Sequence, residues 1–533
     1  MTGTAVAAPA LDAAGVDAFV HRLRGSYQEI YPDNWSIDWR SVPSPFRWYQ
    51  DLPRIDLPPL PRPLLRGGSA EADLVAARGL TDWLGALLYA GYGVSGVRWY
   101  PEGIAKSSPE EPLPVHRDPH YQLRRAVPSG GVTFPAECYL TVGQGDPGLP
   151  AGVYHYDGTR HALVPLATGR PPLGIGRADG GVRLVLTVPL WKNHFKYGDF
   201  SYRLGAMDTG AVVGQFALVA RQWGRACTVA FGVDEPLLLA QLGLDAAVEA
   251  APVVLDIGPG ATPDGSAAGP APAVDPGLRH LGGKELDPAA TAPRMHAACL
   301  RAARPGEPVE LAPVEPAGAT AGSAGVLPAP SAGPLTVADA LGRTALGEQF
   351  RGSPVSAAQV AEWVAQAGAP LDCDLPGAAA GLAHPRCLLL AGAVTGLAPG
   401  AYLPRRDGTL VELAAGGFGE LVQRSLFGSY MNFRQLPLIA VLVGDAEPQR
   451  GVNGPVAYRT QHLLAGVLAQ RLAVAAGRDG CSAHPVLGFV SAELDGPLGL
   501  AARGLTSLLL VGIGRYRRGL YLESATNGTG EPA

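Results

Sequence analysis

An internal repeat constrains the fold of this sequence more than any other feature. The stretch SYRLGAMDTGAVVGQFALVARQWG from Ser201 lies beside AYRTQHLLAGVLAQRLAVAAGRDG from Ala457. Tyr202 matches Tyr458, Arg203 matches Arg459, Gly210 matches Gly466, Ala217 matches Ala473 and Gly224 matches Gly480, always at an offset of 256 residues. The register holds without a gap through Leu242-Gly243-Leu244 against Leu498-Gly499-Leu500, and on to Ile257-Gly258 against Ile513-Gly514. Two unrelated alanine-rich helices would not keep one register over that distance. The chain is read as a duplication.

Each copy carries a long helix, over 202–220 or 458–476, that is apolar nearly all round and therefore central and buried. A Leu-Gly-Leu turn and an apolar strand follow, VVLDIG in one copy and LLLVGIG in the other. Upstream, each half has a Gly-x-Tyr strand signal, LPAGVYHYD from Leu149 and LAPGAYLPR from Leu397. Between the halves Pro, Gly and Ala dominate and periodicity vanishes, which predicts a long linker with one short helix over 295–303. Such a linker lets the second half dock on the first. The N-terminal stretch 27–60 holds Trp35, Trp39, Phe46, Trp48 and Tyr49 among prolines, and is read as an extended arm packing on a lobe in preference to a substrate-contacting one. The expected division is an arm over 1–75, a first lobe over 76–258, a linker over 259–335 and a second lobe over 336–533. Tandem copies most simply form an intrachain pseudo-dimer about an approximate two-fold axis, with crevices at the interface suited to a cofactor.

Composition removes several function classes. A chain of 533 residues suggests about three units. A net charge of −5 with no basic stripe argues against nucleic acid. The six cysteines are scattered without a CxxC pair, which fits a reducing compartment better than a disulfide scaffold or zinc ribbon. No basic-then-apolar leader and no 18-residue apolar run is present, so no signal peptide and no membrane span are expected, and the location expected is cytoplasmic. His116 and His120 have HxxxH spacing, but Pro119 spoils the helix that would aim both at a metal. GQGDPG and GIGRADGG lack the strand–glycine–helix setting of a dinucleotide fingerprint, and no GxSxG, HExxH or P-loop occurs.

Three clusters in the first half can carry chemistry. Arg124 and Arg125 offer planar cationic donors for a phosphate, and Pro128-Ser129-Gly130-Gly131 offers a turn whose backbone a flat ring can approach. Taken alone, this is an ordinary turn before the strand PAECYLTV. Lys196-Tyr197-Gly198 is the second cluster. Such a pair is usually a surface feature, and both side chains reach one pocket only from an irregular turn, which Gly198 permits. There the lysine would lower the tyrosine pKa from about 10 and make it a base. The third is Tyr202-Arg203 at a helix N-terminus, an anion site or, since both copies keep it, a structural pair.

Together, RRAVPSGG with PxExY, then LPAGVYHYD, then KYGxxxYRLGAMDTG before an apolar helix, resemble the azoline dehydrogenases of ribosomal peptide biosynthesis, flavin enzymes of the nitroreductase-like superfamily. The resemblance runs over about 80–258 and more loosely over 343–514. It implies an α+β fold, a tandem nitroreductase-like duplication, with FMN between the lobes. By position it makes Lys196 and Tyr197 the catalytic pair and sets Pro128, Ser129 and Gly130 against the flavin. The family's phosphate motif finds its nearest match in Arg343-Thr344 of the second half, so the FMN contacts expected are Arg124, Arg125, Pro128, Ser129, Gly130, Arg203, Arg343 and Thr344, with no metal.

The second half has LPGAAAGLAHPRC in place of the Pro-Ser-Gly-Gly loop and GVNGPVAYR in place of the Lys-Tyr motif. One flavin site per chain is therefore expected. The function implied is oxidation of thiazolines or oxazolines in a heterocyclised precursor peptide, beside a cyclodehydratase partner. An NAD(P)H-dependent nitroreductase or flavin reductase for small molecules, and a non-catalytic scaffold, are the rival readings.

Overall fold

A computed structural model describes residues 9–31, 35–37, 42–100, 120–143, 145–169, 181–258, 274, 280–281, 286–314, 323–344, 350–382, 384–428, 431–517 and 522–525. Trp39, the residues 116–119 of the HxxxH motif and much of 259–285 lie outside these described residues.

The duplication appears as two seven-stranded antiparallel sheets of one topology. The first runs, edge to edge, Ile55–Asp56, Ala162–Thr168, Gly152–Asp157, Glu137–Val142, Val182–Pro189, Glu249–Gly258, Ala226–Ala230. The second runs Ser323–Val326, Thr409–Ala415, Gly400–Pro404, Arg386–Ala391, Leu438–Asp445, Leu505–Gly514, Ser482–Val486. Central strands such as Glu137–Val142 and Leu438–Asp445 are buried almost throughout, so they read as apolar runs and not as alternating ones.

The main helices are α1 (Ala13–Arg22), α2 (Leu80–Tyr92), α3 (Trp191–Tyr197), α4 (Phe200–Gln222), α5 (Thr291–Ala302), α6 (Ala357–Ala367) and α7 (Pro455–Arg478). The repeated helices α4 and α7 extend about two residues beyond the expected ends and pack on each other at the centre. Two of the aligned glycines set their approach. A Cβ on Gly210 would overlap the Leu463 carbonyl, and one on Gly466 would overlap the Met207 carbonyl. Leu463 stands 256 residues after Met207, so the two contacts are one contact repeated about a two-fold axis. Only glycine allows backbones to close in this way.

The aligned arginines span the lobes. Arg203 is buried, donating from Nη1 to the Leu23 carbonyl at 3.1 Å and from Nη2 to the Leu508 carbonyl of the second half. Arg459 reaches the other way and pairs through both Nη atoms with Glu235 of the first half. Buried charges need such partners, and these arginines have them across the interface.

The stretches read as arm and linker are more structured than expected. The arm contains α1, which reaches the second half through Gln449 Nε2 donating to Asp17 at 2.7 Å, while Ile55–Asp56 forms the edge of the first sheet. Within 259–335, α5 buries Met295, His296 and Cys299, and the Tyr202 hydroxyl meets Cys299 Sγ at 3.0 Å. Ser323–Val326 already belongs to the second sheet. Pro/Gly/Ala composition marks lack of periodicity, and a wedge held by tertiary contacts shows none. At the chain's end, Leu522–Ala525 pairs with Val94–Tyr100 of the first half, which pairs in turn with His120–Arg125.

Among the described residues no helix is long and apolar enough to cross a membrane, all six cysteines are free, and no His/Cys/Asp/Glu group is arranged to hold a metal.

Candidate active site

The site forms where the loop before strand Glu137–Val142 crosses the end of α3. Ser129 Oγ donates to Asp208 Oδ2 at 2.7 Å and accepts from the Phe134 amide at 2.8 Å. The Gly130 amide lies 3.1 Å from both oxygens of the same carboxylate. Asp208 comes from α4, and burial pushes its carboxyl up to about 7, although the Ser129 and Gly130 bonds oppose this. Leu204, one turn earlier, fills the space that a side chain at Gly130 would need.

Gly131 has φ of +64°, a conformation L side chains rarely adopt. A Cβ there would overlap the Tyr197 hydroxyl and stand 2.9 Å from Lys196 Nζ. The loop and the Lys-Tyr motif, 65 residues apart in sequence (Gly131 to Lys196), therefore meet at one glycine. The pair does not lie in an irregular turn as expected. Lys196 and Tyr197 are the last two residues of α3, which ends at Gly198 with φ of +50°. Consecutive helical side chains diverge, yet the lysine folds back until Nζ lies 5.2 Å from the Tyr197 ring centroid.

Buried polar contacts hold α3 in place. Lys192 Nζ lies 2.8 Å from Glu137 Oε1, both residues being buried, and His155 Nε2 meets the other carboxylate oxygen at 3.1 Å. Burial pushes Glu137 up, but Lys192 and His155 outweigh it and hold the carboxyl well below the usual range. Thr133 Oγ1 donates to Asn193 Oδ1, joining loop to helix a second time.

The second half meets the chain just before this loop. Arg343 Nε donates to the Ala126 carbonyl at 2.8 Å, and Gln470 Nε2 of α7 donates to the same oxygen at 3.1 Å. Arg124 Nη2 donates back to the carbonyls of Leu341 (3.2 Å) and Arg343. Burial, with help from Arg124 and Arg98, pushes the Arg343 guanidinium down to about 9. Arg343 Nη1 and Thr344 Oγ1 are buried without a hydrogen-bond partner. Crowded cations with buried donors to spare are suited to a phosphate.

Of the residues singled out in the sequence, Pro128, Ser129, Gly130, Lys196 and Tyr197 thus share one end of the site, and Arg124, Arg343 and Thr344 gather at the other. Two do not join them. Arg125 follows Arg124 in the strand His120–Arg125, so the two point to opposite faces. Its guanidinium lies 4.0 Å from the Tyr92 ring centroid, inside the first lobe. Arg203 is the cross-lobe strut described above. Residues to which the sequence reading gave no role are Asp208, Lys192, Glu137, Asn193 and Gln470. A lone carboxylate within an otherwise apolar helix was the available signal for Asp208.

The second half keeps one backbone feature of this site without its side chains. Gly454, 256 residues after Gly198, has a φ of +54°, but Val452 and Asn453 stand where Lys196 and Tyr197 stand. Asn453 is buried and accepts a 2.8 Å bond from the Glu310 amide, so the segment joining the halves covers this position.

No family model matches the chain. Over 141 residues it is 31% identical to the trifolitoxin-processing protein TfxB of Rhizobium leguminosarum bv. trifolii, covering 24% of this chain and 38% of that protein. Over 135 residues it is 31% identical to the microcin B17-processing protein McbC of Escherichia coli, covering 23% of this chain and 50% of that one. The matches thus span half or less of these relatives. A putative nitroreductase from Anabaena variabilis superposes with a TM-score of 0.71 at 18% identity, over 94% of this chain and 99% of that one. The chain therefore has the nitroreductase-like fold in duplicate and is a sequence relative, over about a quarter of its length, of the processing proteins of trifolitoxin and microcin B17.

Proposed function

We propose that this protein is an FMN-dependent dehydrogenase that oxidises thiazolines or oxazolines in a ribosomally made precursor peptide to thiazoles or oxazoles. The observation that carries the reading is the convergence of Lys196 and Tyr197 on Gly131, in a loop whose other end faces buried, unpaired donors. These residues fit FMN. Arg343, Arg124 and Thr344 would hold the phosphate, and the Pro128–Gly131 backbone, bare of bulky side chains, would lie against the ring system. When bound, FMN supplies a hydride acceptor.

The chain's own groups do the rest. The cleft fixes the substrate ring, and Asp208 fixes the loop on which it would rest. Tyr197, as phenolate, takes the ring proton at its Oη, and the Lys196 ammonium compensates that negative charge until the transfer. Loss of a proton and a hydride leaves an aromatic ring, which supplies driving force. The relatives named above are processing proteins of trifolitoxin and microcin B17, and we read the substrate of this chain as a peptide. An azoline must first be closed from Cys, Ser or Thr with loss of water, so a cyclodehydratase is the partner we assign.

Anaerobic mixing of flavin-loaded protein with a thiazoline-bearing peptide tests this reading. Bleaching of the flavin absorbance by the peptide supports it. Reduction by NADPH alone, with nitroarene turnover, would favour a small-molecule nitroreductase, and protein that takes up no FMN would favour a scaffold.

A further inference from the structure

We infer that Asp208 decides, by taking or losing one proton, whether the Ser129 hydroxyl is available to bond the cofactor on the Pro128–Gly131 loop. It rests on the proposed binding of FMN there. Asp208 is the one carboxylate in the 23 residues of α4. It is buried, and among the described residues no cation pairs with it. A buried carboxylate without a cation is costly as an anion, so the neutral form lies within reach. Burial accordingly raises its carboxyl to about 7, against the Ser129 and Gly130 bonds.

Two hydrogen-bond patterns follow from the contacts. Among the described residues, Asp208 meets the Ser129 hydroxyl at 2.7 Å and the Gly130 amide at 3.1 Å, and its side chain has no other hydrogen-bond partner. Ser129 Oγ meets this carboxyl and the Phe134 amide, the latter at 2.8 Å. Both amides can only donate. With Asp208 ionised, the hydroxyl gives its single proton to Oδ2 and offers none outward. With Asp208 protonated, the carboxyl proton has one acceptor in reach, Ser129 Oγ, which then accepts two bonds through its two lone pairs. The hydroxyl's own proton is released and turns to whatever rests on the loop. Ser129 is half-buried and Gly131 exposed, so an occupant can meet it. The Gly130 bond persists in both states, which keeps the loop in place.

Three other elements face this part of α4. Tyr92 of α2 donates to the Ala136 carbonyl at 2.9 Å, and burial pushes its hydroxyl well above the usual range. α7 meets α4 here through Leu463 and Gly466, which do not titrate. Lys196 and Tyr197 of α3 lie across Gly131. Asp208 therefore acts through Ser129, as a positioning residue.

The test is FMN binding by the full chain, followed by flavin fluorescence, with the midpoint of the Asp208 titration read by carbon NMR of labelled aspartate. Relative to Asp208→Asn at each pH, which cancels titration of the cofactor's phosphate, wild type should bind FMN about three- to tenfold more tightly one pH unit below that midpoint than one unit above it, the scale of one hydrogen bond. Asp208→Asn accepts from Gly130 and donates to Ser129 at every pH, so it should keep the tighter binding throughout. Ser129→Ala should raise the Asp208 midpoint, because the ionised carboxyl loses a donor, and should show no such ratio about its own midpoint. A ratio that persists in Ser129→Ala would assign the effect to the carboxylate's charge. Equal pH responses of wild type and Asp208→Asn would assign it to Lys196 or Tyr197. Either result overturns the switch. If FMN binds and no azoline is oxidised, the proposed reaction fails and the binding comparison still decides the switch, whereas a chain that takes up no FMN ends both.

Discussion

At Gly131 the requirement is the absence of a side chain, and that requirement couples the loop to both Lys196 and Tyr197. Asp208 enforces the geometry from below, with a carboxyl held near pH 7 by burial. A carboxyl whose folded value lies above its ordinary 3.8 keeps its proton in the native state over a window where the unfolded chain has lost it. Its contribution is therefore fully favourable below about pH 4 and is lost as pH rises toward about 7. Asp208→Asn removes the titration while keeping an acceptor for Gly130. Relative to wild type, the variant should be more stable at pH 8 than at pH 4, by an amount on the order of a few kcal/mol. Urea denaturation at the two pH values measures this, and an identical difference at both would contradict it. Sequence reading singled out Ser129, Gly130, Lys196 and Tyr197 as motifs, and the resemblance to azoline dehydrogenases is what implied a flavin site there. It did not separate Arg124 from Arg125, since only strand geometry sends them to opposite faces.

At the scale of elements, the register of the repeat located α4 and α7, and its alignment of Gly210 with Gly466 marked the point where they touch. The sequence did not say why those positions are glycine; the carbonyls of Leu463 and Met207 supply the reason. Gly210→Ala should cost about 1–3 kcal/mol or more, because neither backbone can retreat without moving a lobe. Gly417→Ala, with no atom within 4 Å of the added methyl, is the control and should change little. Thermal or chemical unfolding compares them, and equal stabilities would remove the crossing from the account. The helix of the joining segment was legible only approximately, since α5 is held by burial of Met295, His296 and Cys299 between neighbours and not by local propensity.

For the whole molecule, the proposed reading divides the two halves into a site and its support. The first contributes the loop and the Lys-Tyr end of α3, while the second contributes Arg343, Thr344 and Gln470. The corresponding place in the second half holds Asn453, bonded to Glu310. We therefore expect about one FMN released per denatured chain, and Arg343→Ala should lower flavin affinity by tenfold or more while the fold persists. Two flavins per chain, or unchanged affinity, would count against this division. The measurement that bears most directly on the central claim is single-turnover reduction of bound flavin by a heterocyclised peptide, with mass spectrometry of the peptide afterwards. The wild type should remove two hydrogen atoms per oxidised ring. Tyr197→Phe should keep its flavin yet react about 10²–10⁴-fold more slowly, Lys196→Ala should also be slow, and the double variant should be scarcely worse than the poorer single one. Wild-type rates in both single variants would contradict the mechanism assigned to this pair.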